Sequence, residues 1–291
     1  MTVARRDEDP MMPTRDRPEA EAPQPSTSEP GRGTHVAARW LGGMAPAAGT
    51  IVAIFAVWEG IVLAFHPGRT VLPSPVSVVA DMARNWPIIG DNILPTAEET
   101  LIGFGLAIAC GIALGVSMGV SRKVERALYP LVVGGNSLPK VAIGPLLVIW
   151  FGFNIIPKVG LTLIICLLPI VINTATGIAS VPQEMHELAR LMRLRRRTKF
   201  WRIQFMYALP EIFAGLKIAA SLALVGAVVA EFVASSHGLG YLLTAAEQQV
   251  RTRIMFGDII ILTVMGYLLT VVVAAFEHWL IPWHESQQRS R

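Results

Sequence analysis

The chain has 291 residues, of which 53% are hydrophobic and only 16% are charged, whereas soluble domains carry about 25% charged residues. Together with a mean hydropathy of +0.51, this composition argues against an ordinary soluble domain and is typical of a membrane protein with several spans. A formal net charge of +4 gives no indication of a nucleic-acid partner. Cys110 and Cys166 lie singly inside apolar runs, which argues against a disulfide framework or a cysteine metal site.

The first 43 residues differ from the rest in composition. Residues 1–43 are rich in Pro, Glu, Arg, Ser and Thr and lack the apolar stretch of a cleavable signal peptide, so we predict a disordered tail. Residues 44–291 are predicted to form a transmembrane domain, and its first span covers about residues 44–65. This span contains Glu59, and an ionisable group in a membrane helix is a candidate functional residue. The alternative is that Glu59 only packs toward a neighbouring helix.

The next two predicted spans have unusual glycine and proline content. In the second, at about residues 96–120, Gly111, Gly115 and Gly119 are four apart and form a ridge that another helix can approach closely. The third, at about residues 128–153, is interrupted by several glycines and prolines. Irregular backbone at membrane depth is tolerated only inside protein or beside a water-filled path. Asn136 and Lys140 are therefore pathway candidates, although Lys140 could instead snorkel to the membrane interface.

Three more apolar runs, at about residues 159–180, 212–233 and 256–279, complete an all-α membrane protein with about six spans. Glu231 lies near the end of the fifth span, before a loop that contains two glycines. A carboxylate at an apolar boundary requires a cation, hydrogen-bond donors or water, and Arg251 and Arg253 are the nearest cations in sequence. Glu231 is either part of a static ion pair or a gate residue whose pairing exists in one access state only.

Between the fourth and fifth spans, residues 181–211 form the one long polar interruption of the apolar sequence. Ser180 and Pro182 predict the start of a short helix. Four apolar residues share one face of it at spacing i, i+3, i+4 and i+7: Met185, Leu188, Ala189 and Met192. Basic residues follow from Arg195 to Arg202. One interpretation of the segment is a juxtamembrane anchor whose cations bind anionic lipid headgroups.

The distribution of basic residues predicts the orientation. Six spans place both termini on the same side of the membrane as the polar segment. That side has the larger share of Lys and Arg, including seven basic residues from Arg190 to Arg202. Because short cytoplasmic loops are enriched in Lys and Arg, we predict that both termini and residues 181–211 are cytoplasmic.

Several short sequences match those of a known family. In and after the polar segment they are Glu187-Leu188-Ala189, Leu209-Pro210 and Gly215-Leu216; elsewhere they are Trp58-Glu59-Gly60, Leu138-Pro139, Trp150-Phe151-Gly152 and Gly238-Leu239-Gly240-Tyr241-Leu242. From about Trp58 to Trp283 the chain resembles the permease subunits of bacterial ABC importers, which are the inner membrane components of binding-protein-dependent transport systems. Within that family it most resembles the branch that handles nitrate, sulfonates and taurine.

The resemblance implies a type I ABC-importer permease fold of about six transmembrane helices, with its core at about residues 96–280. It also implies that residues 181–211 are an EAA-like coupling loop, whose helix docks onto an ATP-binding subunit. The coupling residues that it implies are Met185, Glu187, Leu188, Ala189, Met192 and Arg193. Arg193 stands where the family usually has glycine, at a turn where glycine tolerates positive φ better than arginine does.

The same resemblance implies a set of partners: a second permease copy, two cytoplasmic ABC ATP-binding subunits and an extracytoplasmic solute-binding protein. The sequence contains no G-x-x-x-x-G-K-[ST] loop, the phosphate-binding motif of many ATPases. We therefore expect a non-enzymatic transport subunit without a cofactor in the bacterial inner membrane, for a nitrate-, sulfonate- or taurine-like anion or a related compound. The alternative is a stand-alone secondary transporter or channel. A transporter of that kind predicts inverted internal repeats, and we find no convincing repeat.

Overall fold

The computed structural model of the protein describes residues 35–66, 68 and 71–281. Regular structure in these residues is entirely helical, which confirms the all-α fold class. The α-helices are α1 (His35–Phe65), α2 (Pro75–Arg84), α3 (Trp86–Val120), α4 (Arg122–Ser137), α5 (Ile143–Phe151), α6 (Ile155–Ala179), α7 (Gln183–Leu191), α8 (Arg196–Lys199), α9 (Met206–Ala234), α10 (Leu239–Gln248) and α11 (Thr252–Leu280). Most of the predicted tail, residues 1–34, lies outside the described residues, and its last part is the beginning of α1.

Four or five of the approximately six predicted membrane spans are identified within the described residues. By length and composition, four helical stretches of the described chain can cross a membrane: α3, α6, the stretch Arg196–Val233 that includes α9, and α11. The bent pair of α4 and α5 gives a fifth span. In α1, which runs from His35 to Phe65, the stretch Gly49–Phe65 is a further apolar helical segment. The described residues therefore contain four or five spans by these criteria.

The helices α3 and α6 pack along the predicted glycine ridge. A Cβ atom added to Gly111, Gly115 or Gly119 would lie 2.7, 2.5 or 2.7 Å from a side-chain carbon of an α6 residue. The three partners on α6 are Ile170, Thr174 and Ile178. Each partner follows its glycine by the same number of residues, so the two helices run parallel. Because the glycines lack side chains, the backbones approach closely along the whole contact.

An adjacent face of α6 packs against α9. A Cβ atom added to Gly215 would lie 2.7 Å from Cβ of Asn173, and one added to Gly226 would lie 2.8 Å from Cα of Thr162. Gly226, the later of the two α9 residues, meets Thr162, the earlier of the two α6 residues, so these two helices run antiparallel. The central helix α6 thus contacts both α3 and α9, and glycines allow a close approach to each of them.

The third predicted span is broken, as its glycines and prolines indicate. The helices α4 and α5 meet at 85°, and a single 3₁₀ turn, Lys140–Ala142, connects them. Pro139 precedes this turn, and Leu138 before it has extended backbone with ψ of 134°, because a residue before proline disfavours the α-helical conformation. The break leaves backbone polar groups outside the regular helical hydrogen bonding. Membrane proteins place such groups inside protein or beside a water-filled path.

The fifth predicted span starts earlier than the sequence indicated. Helical structure runs from α8 through a π-helical turn, Phe200–Phe205, into α9. Pro210 therefore lies inside α9 rather than at the end of the polar segment. Aromatic rings fill the π-helical turn, and the Trp201 and Phe205 ring centroids are 5.1 Å apart.

Candidate functional site

The connection between α6 and α8 contains α7, the helix predicted to dock onto another protein. Ser180 does not cap α7; its hydroxyl donates to the Gly177 carbonyl, 2.9 Å away at the end of α6. Ala189 is only 2% exposed and packs inside the chain, whereas Leu188 and Met192 are exposed. The predicted apolar face is therefore only partly exposed, because the chain itself covers Ala189.

A different group of apolar residues on α7 is unpartnered. Leu191 is 82% exposed and lies three residues after Leu188, so Leu188, Leu191 and Met192 adjoin on the helix surface. We call these three residues the α7 apolar face. Met185 is half-buried and Glu187 is exposed. Leu191 was not predicted, because apolar spacing alone fits two neighbouring faces of a short helix. Only tertiary packing decides which of the two faces the chain itself covers.

Arg193 ends α7 in a left-handed conformation, with φ of 50°. The Leu194 N–H donates to the Ala189 carbonyl at 3.0 Å, and the Arg193 N–H donates to the Arg190 carbonyl at 2.9 Å. These two bonds form a Schellman motif, whose left-handed residue is usually glycine. A side chain in this conformation costs about 1–2 kcal/mol. The turn that glycine makes in the family is thus made here by arginine, with its hydrogen bonds intact.

The surroundings of α7 are strongly cationic. Partial burial lowers the pKa of the His186 imidazole, and the charges of Lys199 and Arg190 lower it further. The His186 Nδ1 atom has no hydrogen-bond partner among the described residues. The neutral imidazole is therefore favoured beside the basic residues that follow α7.

A second group of functional candidates lies at the other end of α6, where α3 and α6 begin and α9 ends. Glu231 is 1% exposed. Its Oε1 atom accepts a 2.7 Å hydrogen bond from the Thr96 hydroxyl, and its Oε2 atom accepts a 2.5 Å bond from the Gly240 N–H. Among the described residues, no ion pair joins Glu231 to Arg251 or Arg253. The predicted arginine partners are thus replaced by uncharged donors.

These bonds fasten the loop between α9 and α10 to α3. The Leu239 N–H donates to the Thr96 hydroxyl oxygen at 2.8 Å, and the Gly238 N–H donates to Asn92 Oδ1 at 2.7 Å. Gly238 has φ of 103°, which favours glycine. A Cβ atom added to Gly240 would lie 2.7 Å from Glu231 Oε2. The two glycines therefore let the loop backbone reach the carboxylate.

A buried ion pair adjoins this loop. Lys158 Nζ lies 2.6 Å from Glu99 Oε1 and donates a second hydrogen bond to Ser235 Oγ at 2.7 Å. This ion pair was not predicted from the sequence. Glu99 and Lys158 are 59 residues apart, the same separation as in the glycine contacts of α3 and α6. That common separation would have revealed the pair, but only once the two helices were known to be parallel. We call Thr96, Glu99, Lys158, Glu231 and Ser235 the polar cluster.

The other predicted pathway residues lie apart from the polar cluster. Lys140 Nζ is 3.5 Å from Asn136 Oδ1 at the break between α4 and α5, so the structure brings these two candidates together. Glu59 lies on α1, and its Oε2 atom is buried without a hydrogen-bond partner among the described residues. No group of three His, Cys, Asp or Glu side chains in the described chain is arranged to hold a metal ion.

Comparison with known proteins identifies the family. The family model "Binding-protein-dependent transport system inner membrane component" matches residues 107–284. The formylaminopyrimidine transport permease protein ThiX of Halalkalibacterium halodurans is 34% identical over 219 residues, which cover 74% of this chain and 87% of ThiX. The putative aliphatic sulfonates transport permease protein SsuC of Bacillus subtilis is 30% identical over 241 residues, 81% of this chain and 86% of SsuC.

The fold agrees with a solved structure. The inward-facing MetNI methionine ABC transporter matches with a TM-score of 0.60 and 15% identity, over 68% of this chain and 98% of that chain. The resemblance seen in the sequence is thus confirmed, and the alternative of a stand-alone secondary transporter or channel finds no support in the relatives. The chain belongs to the family of binding-protein-dependent transport system inner membrane components, the permease subunits of ABC importers.

Proposed function

We propose that this chain is the membrane-spanning subunit of an ATP-driven importer for a small solute, in the class of sulfonates, taurine or related compounds. Two copies form the pathway, two ATP-binding subunits drive it, and an extracytoplasmic binding protein delivers the solute. The names of the relatives support a small polar solute, since they include a formylaminopyrimidine and an aliphatic sulfonate permease.

The α7 apolar face is the observation that carries this proposal. Leu188, Leu191 and Met192 are exposed on a helix whose other exposed residues are polar, and this helix follows the end of the central helix α6. A contiguous apolar patch on such a helix is suited to docking in a groove of a partner. The ATP-binding subunit is the partner we propose, with Glu187 and Arg193 at the edge of the contact and Met185 and Ala189 supporting α7 from inside.

The close packing around α6 supports a coupled motion. A 25-residue helix such as α6 is about 37 Å long at 1.5 Å per residue. It joins α7 at one end to Lys158 of the polar cluster at the other. Because glycine contacts fix α3 and α9 against α6, a displacement of α7 moves these helices together. The polar cluster, with Glu231, is then the gate at the far end, and Asn136 and Lys140 are pathway residues at the bend.

The orientation is part of the proposal. Basic loops favour cytoplasmic termini and a cytoplasmic α7, which places the loop between α9 and α10 outside. Alkaline phosphatase fused after Gly238 is expected to be active, because the enzyme folds only after export. The same fusion after Arg196 is expected to be inactive. The reverse pattern of activities would contradict both the orientation and the coupling role of α7.

Leu191→Asp tests the coupling role. Because Leu191 is 82% exposed, aspartate there leaves the folded permease intact, yet in a docked complex it buries an unpaired carboxylate, which costs several kcal/mol. When the permease is co-expressed with the ATP-binding subunit, we expect wild-type amounts in the membrane, a loss of co-purification by at least about tenfold and no solute uptake.

Val250→Asp is the matched control. Val250 is an exposed apolar residue in the loop before α11, with φ of 56°, a conformation that aspartate tolerates better than valine does. This variant is expected to co-purify with the ATP-binding subunit as the wild type does. If Leu191→Asp also co-purifies normally, α7 is not the docking site.

A further inference from the structure

The charged groups of the polar cluster are unequal in number. Lys158 of α6 contributes one ammonium, whereas Glu99 of α3 and Glu231 of α9 contribute two carboxyl groups. The exposed fractions of Glu99, Lys158 and Glu231 are only 3%, 8% and 1%, so water screens these charges weakly. If both carboxyl groups were ionised, one buried negative charge would lack a cationic partner, which is costly.

The hydrogen bonds of the cluster bring the two carboxyl groups together. The Thr96 hydroxyl, which donates to Glu231 at 2.7 Å, lies one helical turn before Glu99 on α3. From α6, Lys158 bonds to Glu99 at 2.6 Å and to Ser235 at 2.7 Å. Ser235 follows Glu231 by only four residues. The Glu231 carboxyl group is thereby the hydrogen-bonding neighbour of Glu99.

A proton between these two carboxyl groups explains the bonding of Glu99. Its Oε2 atom is buried and accepts no hydrogen bond from the described chain. The Glu231 oxygens already accept from Thr96 and Gly240, and an ionised carboxyl group has no hydrogen to donate. When Glu99 Oε2 carries a proton, it can donate to Glu231, while Oε1 still accepts from Lys158. One proton thus joins the pair and removes the uncompensated charge, since two carboxylates that share a site resist joint ionisation.

We propose that Glu99 and Glu231 form a proton-binding site, in which a proton at Glu99 Oε2 bridges the two carboxyl groups and holds the loop between α9 and α10 closed on α3. The proton acts on this loop because the Glu231 carboxylate accepts the Gly240 N–H. A cavity of about 520 Å³, whose wall includes Glu99 and Lys158, lets water exchange the proton. The site goes beyond the proposed transport function and is tested without it.

Other ionisable groups around the site supply the controls. On α3, Glu98 is exposed beside Glu99, and its negative charge favours a proton on the pair. The loop contributes His237, which is exposed, lines the same cavity and bonds to Ser236. From α6 comes the Lys158 ammonium, which stabilises one negative charge and leaves the second to the proton. Glu98→Gln and His237→Gln each remove one titratable group without touching the pair.

Infrared spectroscopy of the purified full chain tests whether the proton is present. The C=O stretch of a protonated carboxyl group is separate from the bands of a carboxylate. The difference spectrum between wild type and Glu99→Gln is expected to show one protonated carboxyl group at neutral pH and to lose it at alkaline pH. Glu98→Gln and His237→Gln should keep this band. A wild type without the band, or a band that Glu99→Gln leaves in place, would overturn the proton site.

Amide hydrogen exchange from Gly238 to Gly240 in the assembled transporter tests the effect on the loop. Opening exposes the pair to water and releases the proton, so the opening equilibrium should rise by up to about tenfold per pH unit while the closed pair keeps its proton. The rates are corrected for the intrinsic pH dependence of amide exchange. Glu99→Gln donates an amide N–H to Glu231 in place of the acid O–H, so its loop should stay closed without this pH dependence.

The exchange experiment has two outcomes that would overturn the proposal. One is a wild-type loop whose protection does not change with pH, and the other is a Glu99→Gln loop that keeps the wild-type pH dependence. Loss of the pH dependence in His237→Gln would assign the titration to the imidazole and would equally overturn it. Because neither measurement requires ATP or a solute, a failure of the proton site is distinguishable from a failure of the transport function.

Discussion

Gly115→Ala is expected to lower the thermal stability of the purified permease. A Cβ atom at this position would lie 2.5 Å from Cβ of Thr174 and 2.8 Å from the Val171 carbonyl oxygen of α6. Neither atom belongs to the end of a flexible side chain, so α3 and α6 must move apart. Overpacking of this kind costs about 1–3 kcal/mol. The midpoint of thermal unfolding in detergent should therefore fall by several degrees.

Gly105→Ala is the control on the same helix. A Cβ atom added to Gly105 has nothing within 4 Å, so alanine meets no obstacle there. Alanine is favoured over glycine inside a helix by about 0.5–1 kcal/mol, and this variant should unfold at the wild-type temperature or slightly above it. Equal midpoints for the Gly115 and Gly105 variants would show that the contact between α3 and α6 is looser than the structure indicates.

The glycine ridge is the part of the fold that the sequence predicted best. Three glycines at a spacing of four on an apolar helix have one strong physical explanation, the close approach of another helix. The broken third span was predictable for a similar reason, since Pro139 disfavours the helical conformation at Leu138, the residue before it. In both cases the signal is local, because the residue type itself restricts the backbone or the contact.

The errors concern contacts between distant parts of the chain. The burial of Ala189 depends on how α7 folds back against its own chain, and no periodicity within nine residues reveals that. Glu231 was assigned arginine partners by closeness in sequence, whereas its donors are Thr96, 135 residues earlier, and the Gly240 backbone. Composition indicates that a buried carboxylate needs donors, but the packing of α3 against α9 decides which donors are present.

Thr96→Val is expected to release the loop between α9 and α10 from α3. The Thr96 hydroxyl donates to Glu231 and accepts from the Leu239 N–H, so valine, which has the same shape, removes both bonds. It leaves a buried carboxylate oxygen and a buried N–H without partners, which costs about 2–5 kcal/mol in total. Faster hydrogen exchange of the amides from Gly238 to Gly240 should report the release directly.

The functional consequence separates a gate from a static support. If the loop is the gate, Thr96→Val shifts the equilibrium between the access states, so basal ATPase activity of the assembled transporter should change severalfold and its stimulation by loaded binding protein should weaken. Thr100→Val is the matched control, because within the described chain the Thr100 hydroxyl bonds only to the Thr96 carbonyl of its own helix. ATPase activity of this variant should stay at the wild-type level. If Thr96→Val speeds amide hydrogen exchange but leaves the basal and the stimulated ATPase activities unchanged, the polar cluster positions the loop without gating transport. Exchange and activity that match the Thr100 control would mean that Thr96 does not hold the loop.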